Sequence, residues 1–160
     1  YDNITPPEIV YPELDPIVDL PLATNIFAYK DATNMVVTWD AAIDPTAVDY
    51  VNAHGTATPN NDLSEGRAML RVFDGKVPEF SSTKAFTGHT LAVAGVVEAV
   101  YSILALQNNV VYPNLNFKTP MQEFDLLPET KLKEKELNVI LSNSFGFGGN
   151  CTTLIFSKEA

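Results

Sequence analysis

The chain contains two histidines, and both stand in short Gly- and Thr-rich stretches beside apolar segments. His54 lies in VNAHGTATP (residues 51–59), and His89 lies in SSTKAFTGHT (residues 81–90), five positions after Lys84. Imidazole and ammonium N–H groups are hydrogen-bond donors, and such donors stabilise negative charge that develops on a carbonyl oxygen. The residue types therefore indicate carbonyl chemistry of the enolate-forming kind, if the fold brings the two stretches together.

Each stretch follows a segment that predicts a β-strand. Residues 48–54 alternate and are rich in β-branched and aromatic side chains, and residues 77–83 form a second, shorter segment of this kind. In an open α/β sheet, the loops after the carboxyl ends of parallel strands share one edge, where ligands bind. We therefore expect His54, Lys84 and His89 to form one cluster at that edge.

A helix is predicted after each of these strands. The first covers residues 63–73, with an N-cap from Asn61 or Asp62. Its expected apolar anchors are Leu63, Ala68, Leu70 and Phe73. The second covers residues 90–107 and is apolar nearly all round, so both of its faces should be covered. Glu98 within this run argues for a core helix rather than a membrane span, and we expect the second cover to lie outside this chain's own sheet.

The C-terminal third predicts extended structure. Residues 110–117 are extended, and residues 118–136 form a polar connection. The apolar segments 137–145 and 151–158 are separated by GFGGN, which is typical of a hairpin. The fold class is therefore α/β, with a five-stranded mixed sheet and helices on its faces.

The N-terminal part differs in composition. Residues 1–21 contain five prolines among carboxylates and apolar side chains, which is typical of an extended segment. Residues 1–50 have a net charge of −8 and residues 51–160 a net charge of −2. We therefore divide the chain into an acidic, Pro-rich arm at residues 1–32 and a domain at residues 33–160.

Composition excludes several classes of protein. The formal net charge of −10 argues against nucleic-acid binding, which needs basic side chains to neutralise phosphates. A single cysteine, Cys151, excludes an internal disulfide framework and a CxxC zinc site, so no metal is expected. Residues 1–20 carry five carboxylates and no basic side chain, which is unlike a signal peptide. We expect a cytoplasmic protein that does not bind membranes.

Four motifs resemble a known family when they are taken in order. VDYVNAHGTATPNND, SSTKAFTGHTLAVAGVVEAVYSILAL, PNLNF and LSNSFGFGGNCTTLIF are similar to the C-terminal half of β-ketoacyl-acyl-carrier-protein synthases, the condensing enzymes of fatty-acid and polyketide synthesis. The similarity covers about residues 45–158, and it implies half of a thiolase-like fold. It also favours a helix for the ambiguous residues 34–43, whereas residues 1–32 do not resemble the family.

The resemblance assigns roles to the cluster. It implies that His54 and His89 donate hydrogen bonds to a malonyl thioester carbonyl and stabilise the enolate formed on decarboxylation. Lys84 resembles the family's active-site lysine, and Glu98 stands at the position of its ion-pair partner. A carboxylate on an apolar helix needs such a partner, because an unpaired buried charge is very costly.

The resemblance also implies contacts with a carried substrate. Thr56 and Thr58 match threonines that bind the phosphopantetheine arm of acyl carrier protein, and Phe147 matches an aromatic gate beside the acyl pocket. The expected partner is therefore acyl carrier protein, and no cofactor of the chain's own is implied.

The family's nucleophile is a cysteine of the N-terminal half, and Cys151 does not match it. We therefore expect this chain alone to be inactive in condensation. The alternatives are a carrier-protein-binding module that does not condense, and an interaction module whose apolar helix docks on a partner. The cover for that helix would be a chain carrying the N-terminal half, a second copy, or the arm at residues 1–32.

Overall fold

A computed structural model describes residues 27–31, 34–38 and 43–158, with side chains described for 43–158. Residues 1–26 and 32 of the expected arm therefore lie outside the described residues. The elements in chain order are β1 (Phe27–Asp31), β2 (Asn34–Thr38), β3 (Tyr50–Asn52), α1 (Pro59–Val72), β4 (Glu79–Ser81), α2 (Lys84–Thr87), α3 (Ala94–Asn108), β5 (Val110–Val111), β6 (Lys133–Glu134), β7 (Val139–Phe145) and β8 (Cys151–Ser157), with 3₁₀ turns at Pro45–Ala47 and Leu91–Val93.

The central sheet has the strand order β4–β3–β7–β8. Strand β3 is parallel to both β4 and β7, whereas β8 is antiparallel to β7 and follows it through the predicted glycine-rich hairpin. Parallel neighbours need crossover connections, and here α1 connects β3 to β4. The predicted α/β class is confirmed.

The expected fifth strand does not join this sheet in the described part of the chain, so the predicted strand count was wrong. Strand β5 is two residues long and pairs antiparallel with β6 in a separate ladder. Pro113 has no N–H to donate, which limits how far the ladder extends after β5. Lys135 fixes the chain beside β6 through hydrogen bonds to the Glu79 carboxylate at 2.5 Å and the Asp49 carbonyl at 3.0 Å.

The helix expected at residues 34–43 was also wrong over the residues that are described. Residues 34–38 form strand β2, which pairs antiparallel with β1. The segment contains Val36, Val37 and Thr38, and β-branched residues favour extended backbone when a partner strand is present. Strands β1 and β2 lie on either side of the expected domain boundary between residues 32 and 33. The division into an arm and a domain stays a prediction.

Helix α1 begins four residues before its expected first residue. Pro59 occupies its first turn, and Thr58 is the N-cap residue without a side-chain capping bond, so neither Asn61 nor Asp62 caps it. Proline fits this position because it fixes φ near the helical value, and the N–H that it lacks would have no intrahelical acceptor in the first turn.

The side of α1 that is buried also differs from the expectation. Its buried residues are Glu65, Gly66 and Met69, with Phe73 buried just after the helix ends. Of the expected anchors only Phe73 is buried, and the other three are half-buried. The alignment of Glu65 with Met69 and Phe73, at spacings of four residues, places a carboxylate on the face towards the sheet.

Two apolar clusters pack on opposite faces of the sheet. The α1 side contains Val48, Val51, Met69, Phe73, Val139 and Leu141. The α3 side contains Tyr50, Ala105, Leu106, Val111, Leu137 and Ile140. The alternation of Tyr50 with Val51 and of Ile140 with Leu141 follows the two-residue period of strands.

Helix α3 has one covered face. Ala94, Glu98, Ser102, Ala105 and Leu106 are buried against the sheet. By length and composition alone, Leu91–Asn108 would also suffice to cross a membrane, but its Glu98 is buried against the sheet in an ion pair with Lys84. Its opposite face is apolar and exposed among the described residues, as the sequence predicted.

Substitution Gly66→Ala tests how closely the 118–136 connection packs on α1. A Cβ atom at Gly66 would lie 2.3 Å from a ring atom of Phe124. We expect the substitution to lower the free energy of unfolding by about 1–3 kcal/mol, as overpacking does. In a Phe124→Ala background the same change should stabilise by up to about 1 kcal/mol, because alanine favours helix. Urea denaturation measures both, and destabilisation of equal size in the two backgrounds would contradict this packing.

Candidate functional site

The structure brings the three predicted side chains together at the carboxyl edge of the sheet. His54 follows β3, Lys84 opens α2 just after β4, and His89 lies in the loop that follows α2. The His54 and His89 rings are in edge-to-face contact, with centroids 5.5 Å apart. The Lys84 Nζ atom lies 3.2 Å from His54 Nδ1. The juxtaposition expected from strand topology is therefore observed.

The Lys84 ammonium group uses all of its donors inside the protein. Its Nζ atom donates to the backbone carbonyl of His54 at 2.6 Å, to His54 Nδ1, and to the Glu98 carboxylate in an ion pair. An ammonium group has three N–H bonds. Because each of them has an acceptor and the side chain is buried, Lys84 serves to hold its neighbours in place.

The hydrogen bonds assign the proton positions of both imidazoles. His54 Nδ1 faces the Lys84 ammonium, which is only a donor, so Nδ1 is the acceptor and the ring proton is on Nε2. His89 Nδ1 accepts the Leu91 backbone N–H at 3.1 Å, which places its proton on Nε2 as well. The two rings thus share one tautomer, and each keeps an Nε2–H that can donate.

Burial and charge keep the His54 ring neutral. Burial is the main cause that lowers its pKa from 6.5 to about 4, and the positive charge of Lys84 and the proximity of His89 act in the same direction. Burial also raises the pKa of Glu98, against the opposing effect of its hydrogen bond from Lys84. A neutral imidazole donates from Nε2 without losing its proton to solvent, which suits stabilisation of an oxyanion.

A second buried carboxylate, which the sequence reasoning missed, holds the backbone of His54. Glu65 accepts the N–H groups of His54 and Gly55, each at 2.9 Å, one on each carboxylate oxygen. Asn143 on β7 donates a further bond to it at 3.1 Å. Burial raises the pKa of Glu65, whereas these hydrogen bonds act in the opposite direction. Its four-residue spacing from Met69 was the signal that could have found it.

The loops that carry the two histidines are locked together at Gly55. The Ser82 hydroxyl donates to the Gly55 carbonyl at 2.9 Å, and a Cβ atom at Gly55 would lie 2.5 Å from the Ser82 Cβ. The φ angle of Gly55 is +42°, in the region that favours glycine. This contact fixes the distance between the His54 and Lys84 loops.

Buried polar side chains form hydrogen bonds around the ion pair of Lys84 and Glu98. Asn52 on β3 donates to the Glu98 carbonyl and to the Ser102 hydroxyl, both at 3.2 Å, and accepts the Thr83 hydroxyl at 3.2 Å. The Ser144 hydroxyl donates to Glu98 at 3.4 Å. Buried polar groups are stable only when paired, and these pairs join β3, β7 and α3 around the carboxylate.

Phe145, at the end of β7, is a further neighbour that sequence reasoning did not identify. Its ring centroid lies 5.5 Å from that of His54. This ring contact contributes to the burial of His54, which is 5% exposed. No local pattern indicated this contact, because it depends on how the strands are paired.

A family model described as the beta-ketoacyl synthase C-terminal domain matches residues 23–118. That range is more than half of the chain. The chain belongs to the beta-ketoacyl synthase family. The resemblance inferred from the motifs is thereby confirmed. The match begins at residue 23, so the expectation that residues 1–32 do not resemble the family was wrong for residues 23–32.

Curated relatives are similar over most of this chain. The 3-oxoacyl-[acyl-carrier-protein] synthase 1 of Haemophilus influenzae is 44% identical over 121 residues, which are 74% of this chain and 29% of the relative. The corresponding synthase 1 of Escherichia coli K12 is 45% identical over 71% of this chain and 28% of its own length. The mitochondrial synthase of Arabidopsis thaliana is 45% identical over 71% of this chain and 26% of its own. This chain therefore spans less than a third of these relatives.

Solved structures place the fold in the same family. A beta-ketoacyl synthase from Burkholderia phymatum superposes with a TM-score of 0.69 at 35% identity, over 74% of this chain and 29% of that one. A type II ketosynthase in complex with its acyl-carrier protein and bound to a hexaketide superposes with a TM-score of 0.67 at 30% identity, over 74% and 30%. The thiolase-like fold prediction is thereby confirmed.

The remaining predicted ketosynthase positions lie at the surface or away from the cluster. The hydroxyls of Thr56 and Thr58 are 2.8 Å apart in the exposed loop after β3. Phe147 is 97% exposed at the tip of the β7–β8 hairpin. Cys151 is half-buried at the start of β8, not fully in the core, and burial raises the pKa of its thiol. The roles expected of the threonines and of Phe147 stay predictions.

The charge state of His54 can be measured by its pH titration. We expect its ring resonances, followed by NMR on the full chain, to titrate with a midpoint near pH 4. Since the folded pKa lies below the ordinary 6.5, the folded state binds fewer protons between these values, and the stability due to a neutral His54 falls as pH drops from 6.5 to 4. The difference in stability between wild type and His54→Gln should shrink over this range. A midpoint near 6.5 would contradict the assignment.

Substitution Glu65→Ala should destabilise the chain by about 2–5 kcal/mol, because it leaves two N–H groups without their acceptor. Glu65→Gln keeps one acceptor oxygen and should lose less. Urea denaturation gives the loss in stability, and the shift of the His54 resonances reports its displacement. Glu123→Ala, at an exposed carboxylate, is the control. Equal effects of Glu65→Ala and Glu123→Ala would show that Glu65 does not hold His54.

Proposed function

We propose that the chain supplies the carbonyl-polarising half of a β-ketoacyl synthase site, which acts on a malonyl thioester during decarboxylative condensation. The observation that carries this proposal is the pair of Nε2–H imidazoles, His54 and His89, in contact with each other. Two N–H donors on neighbouring rings can both donate to one carbonyl oxygen as negative charge develops on it.

These two donors support the decarboxylation, and the enolate that it forms is consumed in a second step. The bond between the carboxylate carbon and the α-carbon of the malonyl group breaks, and carbon dioxide leaves. The electron pair passes to the thioester, so that negative charge develops on its carbonyl oxygen. His54 and His89 donate to that oxygen from Nε2, and neither ring transfers its proton. Lys84 keeps His54 in the required tautomer. In the second step, the α-carbon of the enolate attacks an acyl thioester and displaces the thiolate that carried the acyl chain, or it takes a proton from water to give an acetyl thioester.

We propose that acyl carrier protein presents the substrate on its phosphopantetheine arm. Thr56 and Thr58 lie in the exposed loop that follows His54, with their hydroxyls 2.8 Å apart, and they would bind the arm. The likeness to a ketosynthase in complex with its acyl-carrier protein supports this partner. The chain would then need no cofactor of its own, because the thioester arrives on its carrier.

Condensation also requires a nucleophile that receives the acyl chain. Cys151 is a poor candidate, because burial raises the pKa of its thiol and so disfavours the reactive thiolate. It is the one cysteine among these 160 residues. We therefore propose that a polypeptide with the N-terminal part of the family fold supplies the cysteine, and that the complete assembly extends an acyl thioester by two carbons in fatty-acid or polyketide synthesis.

A second function is favoured by the same observation. A chain with the paired imidazoles and no activated thiol would bind malonyl-carrier protein, or decarboxylate it, without condensation. The two proposals share the site and differ in whether a nucleophile is added.

The test is to mix the purified chain with malonyl-carrier protein and to measure binding and carbon dioxide release. We expect release above background, and a loss of at least about tenfold in His54→Ala and in His89→Ala, since one oxyanion donor is worth about 10²–10³ in rate. His89→Asn keeps an N–H donor and should retain part of the activity. Lys131→Ala, on an exposed loop, is the control.

Addition of the N-terminal part of the Escherichia coli relative, together with an acyl-carrier-protein thioester as the acyl donor, then distinguishes the two functions. Formation of a 3-ketoacyl product on addition supports the condensing role, whereas decarboxylation without product supports the binding role. No binding, or release equal in wild type and both alanine variants, would contradict both.

A further inference from the structure

Five non-glycine residues in the described part of the chain have a positive φ angle, in the left-handed region of backbone conformation. Three of them are Asp74, Asn109 and Asn116, and aspartate and asparagine enter this region more readily than most residue types. The other two are Ala57, with a φ of +58°, and Leu91, with a φ of +54°. A bulky side chain such as that of leucine is rarely found there.

Both exceptions lie in the loops that carry the two imidazoles. Ala57 is three residues after His54, and Leu91 is two residues after His89. Left-handed conformations of such residues are unfavourable, and they persist where the surrounding structure enforces them. They also cluster at functional sites. The location of these two residues therefore indicates a role in the geometry of the site.

The side chain of Leu91 does not account for its backbone conformation. It is 71% exposed, so little apolar burial within the described residues offsets the unfavourable φ. The backbone N–H of Leu91, in contrast, has a specific partner, because it donates to His89 Nδ1 at 3.1 Å. The reason for the conformation is therefore sought in the backbone.

The φ angle of Leu91 connects two constraints on the chain. On one side of the residue, its N–H points to the His89 ring. On the other side, the chain enters the 3₁₀ turn and then α3, which is fixed by the ion pair of Glu98 with Lys84. Because φ is the rotation about the N–Cα bond, a change to a negative value would turn the peptide plane away from the ring or displace the helix.

We infer that Leu91 is a positioning residue for His89, and that its left-handed backbone, and not its side chain, has this role. The conformation keeps the N–H of Leu91 on Nδ1, so that the proton of the ring is on Nε2. The inference deepens the proposed function and rests on it for the reaction alone, since the geometry of His89 can be measured without a substrate.

Ala57 is placed in a similar way in the other loop. It separates Thr56 from Thr58, whose hydroxyls lie 2.8 Å apart, and helix α1 begins at Pro59. In both loops, the left-handed residue thus lies between a polar group of the site and the start of a helix. Leu91 gives the sharper test, because its side chain is larger and its N–H has an identified acceptor.

Two substitutions separate the role of the backbone from that of the side chain. Leu91→Val keeps an apolar side chain, but valine is β-branched and therefore disfavours a positive φ. Leu91→Asn removes the apolar side chain, but asparagine enters the left-handed region readily. If the backbone conformation is what matters, asparagine should be tolerated and valine should not. A role in apolar packing would give the opposite order.

NMR on the full chain measures the hydrogen bond itself, as the scalar coupling between the backbone nitrogen of residue 91 and His89 Nδ1. We expect Leu91→Asn to retain this coupling, and Leu91→Val to reduce it by about half or more as the loop moves towards a negative φ. The midpoint of urea denaturation should be higher for Leu91→Asn than for Leu91→Val. Circular dichroism verifies that both variants fold.

Leu132 provides the matched control. It is 63% exposed, and its φ angle is not positive. Leu132→Val and Leu132→Asn should both leave the coupling at His89 unchanged. The order of stability should also reverse at this position, with a urea midpoint for valine that is no lower than for asparagine, because valine suits extended backbone.

Carbon dioxide release from malonyl-carrier protein then shows whether the hydrogen bond matters in the reaction. Leu91→Val should be slower by about tenfold, since one oriented donor is displaced, and Leu91→Asn should be close to wild type. Equal couplings in the two variants, or a coupling retained in valine and lost in asparagine, would overturn the inference. Couplings in the expected order, in a chain that releases no carbon dioxide, would support it and contradict the proposed function alone.

Discussion

The buried ion pair between Lys84 and Glu98 is the interaction on which the rest of the site depends. Both side chains are at most 5% exposed, and removal of one partner from such a pair costs about 3–5 kcal/mol. The same ammonium group donates to the carbonyl and to the ring of His54. One cation therefore joins α2, α3 and the end of β3, and it also sets the tautomer of a histidine. The positive charge of Lys84 thus has two effects. It anchors α2 to α3 through Glu98, and it orients the His54 ring so that Nε2–H is the donor.

Two carboxylates approach this edge from opposite faces of the sheet. Glu65 on α1 holds the backbone of His54 and Gly55, whereas Glu98 on α3 acts on the His54 ring through Lys84. Each carboxylate is buried, and burial raises the pKa of both. Several hydrogen-bond donors around each carboxylate offset the cost of its burial in the folded state. The helix on each face thus contributes one anchor to the same loop, which explains why a short, Gly-containing loop holds a fixed geometry.

The sequence was most informative where function restricts residue type. The two histidine motifs and the position of Lys84 predicted the cluster, because loops after parallel strands must meet at one edge. Glu65 was missed because its spacing from Met69 shows only that it faces the sheet, and its partners, backbone N–H groups, leave no pattern in the sequence. Phe145 was missed because its partner, the His54 ring, lies in a loop of a different strand. Residues 34–38 were misassigned because their conformation depends on a partner strand. Residues 110–117 were placed in the wrong sheet because polar contacts of the 118–136 connection determine their pairing.

The central claim is that Lys84 and the Leu91 N–H hold both imidazoles with the proton on Nε2. Nitrogen-15 NMR of the histidine rings at pH 7 measures this directly, since protonated and unprotonated ring nitrogens differ strongly in chemical shift. Both His54 and His89 should show an unprotonated Nδ1 and a protonated Nε2, and His54 should lose its fixed tautomer in Lys84→Met. A proton on Nδ1 of His54, or a His54 ring indifferent to Lys84→Met, would contradict this claim.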